Sequence, residues 1–179
     1  KNILKIEKIL KDFVKDIYII LDDKEFLPIE ISIKKDHNGN SISQENLINP
    51  LNVLKNLCQF SFKDKKIIHM LIENYQIDGK DYSFLPENLK CNNFSLDIKF
   101  ICLSKNLIEH YESVLKRYHI LVNQILNAEY IEQFQDQQNP NIYTTASRII
   151  SGFNNNEISL VNKTLKKKGF FEKFFDFFS

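Results

Sequence analysis

The chain is poor in glycine and cysteine, and has no excess of charge of either sign. Its four glycines (Gly39, Gly79, Gly152, Gly169) stand far apart in 179 residues, whereas a loop that cradles phosphate needs glycines close together. A standard nucleotide site is therefore not expected. Three cysteines (Cys58, Cys91, Cys102) form an odd set without paired spacing, so neither a disulfide framework nor a zinc site is read, and buried, reduced, cytosolic thiols are expected. Twenty-four basic residues against 23 acidic ones leave a net charge of +1, which argues against nucleic acid as a partner of the whole chain. The one basic cluster read from the sequence is near the C-terminus. Four histidines (His37, His69, His110, His119) include no metal-ligating pair at helical spacing. His69, between Ile68 and Met70, reads as a buried structural residue of a strand. Asp22-Asp23 is an acidic pair that could hold Mg²⁺ beside a phosphate, but without a glycine loop it reads as a solvated turn. The chain opens on Lys1 and not Met, as expected for a piece or processed form of a longer protein. Lys1 to Lys11 lacks a signal-peptide pattern.

What the chain does have is phenylalanine at its end. Phe170, Phe171, Phe174, Phe175, Phe177 and Phe178 follow Lys166-Lys167-Lys168-Gly169. At 100° per residue these six rings share an arc of about 160°, and Glu172, Lys173 and Asp176 fill the opposite side. Such a helix is too short to span a bilayer, which takes roughly 20 apolar residues. With lysines at its entry it reads as an amphipathic helix lying in a membrane surface, so Lys166, Lys167, Lys168 and the six phenylalanines are the predicted membrane-binding residues. A core-packed helix and a partner-binding helix are the alternative readings of the same stripe.

Between the ends, helices and strands intermix without βαβ regularity, which predicts an α+β fold with one small mixed or antiparallel sheet and helices packed on one face. A helix is expected to about Lys15, then strands at 17–21 and 29–33. Ser43 caps a helix whose true start lies nearer Asn49, because Pro50 belongs in a first turn. Lys66 to Leu71 and Tyr75 to Asp78 read as two strands, the second closed by an Asp78-Gly79 turn. Phe94 to Phe100 gives the clearest alternation. Ser104 caps a helix to about Arg117, Ile120 to Leu126 is a strand, Gln133 to Asn141 a linker, and Tyr143 to Ile150 and Ile158 to Leu165 short helices. The expected organisation is an α+β domain at 1–134, a linker at 135–142, a helical segment at 143–165 and the tail at 166–179.

The run from Ile67 to Gly79, an apolar strand with a central His followed by Tyr75, Ile77 and Asp78-Gly79, resembles a strand pair of the bacterial cell-division protein FtsA. The helix from Asn49 to Phe60, the Pro86 loop, and the strand, helix and strand that follow resemble the rest of that family's subdomain 1C in order and spacing. Asn139-Pro140 with Tyr143-Thr144-Thr145-Ala146 is similar to its closing helix, and the Phe-rich tail looks like its membrane-targeting helix. The resemblance implies a non-enzymatic peripheral scaffold of the division machinery (the divisome and its Z-ring), on the cytoplasmic side of the cell membrane at the septum. Its implied partners are anionic lipid and either other division proteins or further copies of itself. The family binds ATP with Mg²⁺ and docks the FtsZ tail in lobes that have no counterpart here, so no cofactor residue and no FtsZ contact carry over. Asn88-Leu89-Lys90-Cys91 and Arg148 also replace family glycine positions. A fragment of an actin-like ATPase and a pilus-assembly adaptor are the alternatives.

Overall fold

The computed structural model describes residues 2–158; the Ile158 to Leu165 helix beyond Ile158 and the whole predicted membrane tail lie outside the described residues. The architecture is α+β, as expected, but it holds two sheets. Strands β2 (Leu27–Asp36), β5 (Asn93–Ser104), β3 (Lys65–Ile77) and β4 (Lys80–Tyr82) form a four-stranded antiparallel sheet in that order, while β1 (Asp16–Leu21) and β6 (Leu121–Asn127) form a separate parallel pair.

Alternation along β5 builds the main core. Phe94, Leu96, Ile98, Phe100 and Cys102 project to one face and meet Leu47, Leu51, Leu54 and Cys58 of α2 (Gln44–Ser61). Helix α2 starts earlier than Pro50 suggested. The side-chain oxygen of Asn46 accepts the N–H and hydroxyl of Ser43 and fixes the entry six residues before the proline, which sits buried inside the helix. The ring costs an intrahelical bond at Asn46 O but fills core space.

The two strands expected at 66–71 and 75–78 are one, β3, with bulges at Ile67/His69 and Ile72/Asn74. Each bulge shifts the side-chain period by one, so Ile67, Met70, Ile72, Tyr75 and Ile77 all reach the α2 side despite their uneven spacing. What looked like an interruption at Glu73-Asn74 is a change of register. The Asp78-Gly79 hairpin holds as expected: both residues have positive φ (45° and 81°), as a two-residue turn of this hand requires.

Helices do not pack on one face only. Ile101 and Leu103 make the end of β5 apolar on both sides, and Ile68 and Leu71 do the same for β3, so a second cover is needed. Ile68 and Leu103 pack on Ile108 of α3 (Lys105–Lys116) and Ile125 of β6. Leu71 and Ile101 pack on Tyr130 of α4 (Ala128–Glu132), a helix the sequence reading missed, and on Ile149 of α5 (Ile142–Ile150). Residues 154–158 then join the outer edge of β3: Leu71 bridges Glu157, Ile72 N donates to Asn156 O (2.9 Å) and Ile158 N donates to Met70 O (2.8 Å). Ile158 is thus paired to a strand and buried, not helical. At the other terminus, α1 (Asn2–Leu10) stops short of Lys15 because Lys11 adopts a left-handed φ of 55°.

Candidate functional site: a basic cleft beside a buried histidine network

Two polar assemblies lie along β3, and they differ in what their charges meet. The first is centred on His69, which is fully buried. Its Nε2 accepts the backbone N–H of Asn127 (3.1 Å), so the ring proton sits on Nδ1 and is donated to Glu157 Oε1 (2.7 Å). Tyr130 donates its hydroxyl to Glu157 Oε2 (2.7 Å), Asn154 Nδ2 donates to the Tyr130 oxygen (3.0 Å), and the His69 and Tyr130 rings meet at a tilt of 49° with centroids 4.5 Å apart. Burial, reinforced by the Glu157 charge, raises the Tyr130 hydroxyl well above its ordinary range and holds it protonated.

A His–carboxylate pair is half of a nucleophile-activating triad, but the half that would act is engaged. A general base needs a free nitrogen within reach of substrate. Here Nε2 is occupied by a main-chain donor and sealed from solvent. The network is a latch that ties residues 154–158 to β3 and to the start of α4. His69 is structural, as its sequence setting suggested. Its partner Glu157, 88 residues away, carried no signal in the sequence.

The second assembly was missed, since its members are scattered along the chain, and it corrects the expectation that the only basic cluster lies near the tail. Lys55 from α2, Lys65 and Lys66 from β3 and Lys105 from α3 line one cleft of about 440 Å³. Ile67, Ile68, Ile108, Val122 and Ile125 make its apolar lining, and Glu112 is the one carboxylate among the lining residues. Burial lowers the Lys55 ammonium from its ordinary range. Lys105 is held in place by donating Nζ to Lys63 O (2.7 Å), and Lys65 lies 3.5 Å from the exposed Asp64 carboxylate.

The walls of this cleft are strand edges. Among the described residues β6 pairs only with β1, and Lys65 to His69 of β3 pair only with β5, so the facing edges of the two strands carry no third strand there. Each wall also carries a bulge, at Ile68 in β3 and at Asn123 in β6. Lysines and bulges are the usual guards of a free edge against promiscuous strand pairing. The same lysines favour one kind of visitor, an extended segment with acidic side chains, over neutral or basic strands.

The remaining candidates resolve plainly. Asp23 Oδ1 accepts the N–H of Glu25 (2.8 Å) in a turn next to exposed Asp22, with no third carboxylate or histidine near enough to hold a metal among the described residues. All three cysteines are buried and free, with Cys58 Sγ 3.9 Å from Cys102 Sγ. Lys166, Lys167, Lys168, Phe170, Phe171, Phe174, Phe175, Phe177 and Phe178 lie outside the described residues. No described helix is long and apolar enough to cross a membrane. In comparisons with known proteins, no family model matches the chain and no curated protein matches it.

Proposed function

We propose that this chain is a non-catalytic adaptor of FtsA type, a peripheral scaffold of the bacterial division machinery whose body captures a partner protein while its Phe-rich end tethers it to the inner face of the cell membrane. The observation that carries the partner-binding half is the cleft in which Lys55, Lys65, Lys66 and Lys105 surround an apolar lining between the facing edges of β3 and β6. The fitting partner is an extended acidic segment of another division protein: its main chain would pair with an edge, its apolar side chains would fill the lining and its carboxylates would meet the lysines. A non-catalytic role is supported by the His69 network, where each titratable group is bound to another group of the protein. The tether is supported by the sequence pattern at 166–178 and by the resemblance of the motif order to FtsA.

The test is a titration of a labelled peptide with alternating Glu and Val against the full chain. Micromolar binding, about −8 kcal/mol, that weakens with salt and drops at least about tenfold in Lys65→Glu with Lys66→Glu is expected. Equal binding by the double variant would remove the cleft from the reading. A fluorescent fusion that shows no enrichment at the division septum would remove the divisome role.

A further inference from the structure

The described helices divide into four that feed the cores and one that does not. Helices α2, α3, α4 and α5 each contribute buried side chains, whereas α1 contributes none. Its apolar residues face solvent instead: Leu4 is 65 % exposed, Ile9 80 % and Leu10 61 %, and Phe13 just beyond is 78 % exposed. Because β1 and β6 run parallel, α1 leads into the same end of that pair as the C-terminus of α3. Tyr118 and Leu121 are exposed at that end too, and Leu121 N donates to Lys15 O (2.9 Å).

The cations around this apolar end outnumber the nearby acids Glu7, Asp12 and Asp16. Lys5, Lys8, Lys11, Lys15, Lys116 and Arg117 are all exposed, and none makes an ion pair among the described residues. The acids nearby are fewer, and each accepts a hydrogen bond within the fold: Glu7 from the N–H of Val14, Asp12 from that of Phe13, and Asp16 from the Asn123 amide. Apolar side chains among cations that make no ion pair, on a helix that adds no buried side chain to a core among the described residues, have the chemistry of an interfacial helix on anionic lipid.

We propose that α1 and the adjoining end of the parallel pair form a second membrane-contact surface that binds anionic phospholipid. The proposal rests on the membrane half of the functional reading but not on the tail. Two weak contacts on one body would bind together far more firmly than either alone.

The test is flotation of the full chain with phosphatidylglycerol vesicles, using phosphatidylcholine vesicles as reference, for wild type, Ile6→Glu with Ile9→Glu, Phe171→Glu with Phe174→Glu, and all four changes together. The α1 pair should lower partition to the anionic vesicles about tenfold, and residual binding of the tail pair should vanish in the fourfold variant. All variants should keep the wild-type thermal transition, since the α1 positions contribute nothing to a core. If the α1 pair partitions like wild type while the tail pair abolishes binding, the proposal falls and the tail reading stands. If the tail pair binds like wild type and the α1 pair does not, the proposal stands and the tail reading falls. Wild type that ignores anionic vesicles overturns both. Vesicle binding unchanged by the α1 pair, with a shift from dimer to monomer in sedimentation velocity, assigns the surface to a second copy and overturns the lipid proposal.

Discussion

Strand β3 carries two polar regions a few residues apart that follow opposite rules. Around His69 every donor has an acceptor and no buried side-chain polar atom among the described residues is left without a partner. Around Lys65 and Lys66 the charges outnumber the single lining carboxylate, Glu112, and among the described residues the strand beside them pairs on one side only, with β5. Satisfied buried groups contribute stability and leave nothing for a ligand. Cations in excess of the lining carboxylate at a cleft contribute little stability and leave interactions to be made. Under the proposed function, structure and binding fall to neighbouring stretches of one strand, and they should be separable by mutation.

The largest effect should come from the latch. Glu157→Ala removes the acceptor of both His69 Nδ1 and the Tyr130 hydroxyl, leaving two buried donors stranded. Losing one partner of a buried polar network costs about 3–5 kcal/mol, so chemical denaturation should show the body close to unfolding at ambient temperature. Glu157→Gln, which keeps an oxygen for one of the two donors, should recover part of the loss. If Glu157→Ala were as stable as wild type, the network would not be a latch, and the contrast with the cleft would collapse.

Next comes the alkaline limb of stability. Burial, then the neighbouring Cys58, pushes the Cys102 thiol from 9.0 up to about 12. Below pH 9 both folded and unfolded chains hold this proton and the stabilisation is complete. Above it the unfolded chain ionises first, so stability should fall between about pH 9 and 12, by on the order of 2–4 kcal/mol for the thiol alone. Thermal melts of Cys102→Val should show a flatter decline over that window. A decline of the same slope in the variant would assign the loss elsewhere, with Tyr130 the next group to examine.

How much of this could be read along the chain depends on how local the cause is. The alternation of Phe94 to Phe100 placed β5 and its buried face, and Asp78-Gly79 placed the hairpin, because each signal sits within a few residues. The bulges in β3 broke the period at Glu73, so one strand read as two. The second cover over Ile68, Leu71, Ile101 and Leu103 was announced only by strand ends apolar on both sides. Glu157 is a lone acid in an asparagine-rich stretch, and nothing near it in sequence names His69. The cleft was invisible for the same reason: Lys55, Lys65, Lys66 and Lys105 belong to three elements, and only folding gathers them.

A smaller effect is expected of Tyr130→Phe. The ring keeps its packing on Leu71, Ile101 and Ile149, but one bond to Glu157 and one from Asn154 are lost. A hydrogen bond to a charged group is worth about 1.5–3 kcal/mol, and Glu157 keeps its His69 partner, so a cost near the lower end is expected in urea titration. A double-mutant cycle with Glu157→Gln should show coupling well above zero, since the two side chains touch. Additive losses would mean that the residues act independently, and the latch would reduce to a single His–carboxylate bond.

The smallest stability effect, and the sharpest test of the comparison, belongs to the cleft. Among the described residues Lys65 and Lys66 make no buried polar contact, and the ion pair of half-buried Lys65 is with an exposed carboxylate, Asp64, of a kind worth at most about 1 kcal/mol. Reversing both charges should therefore move unfolding by no more than about 0.5 kcal/mol in either direction, with some relief because crowding among four lysines is removed. Yet the same change should abolish capture of an acidic strand and admit a basic one, as charge selection at a guarded edge requires. Binding of a Lys and Val peptide by the reversed variant would show that the lysines choose the partner. If the reversal instead cost several kcal/mol and left binding untouched, the cleft would belong with the latch as part of the folded core's support, and the division of labour along β3 would be wrong.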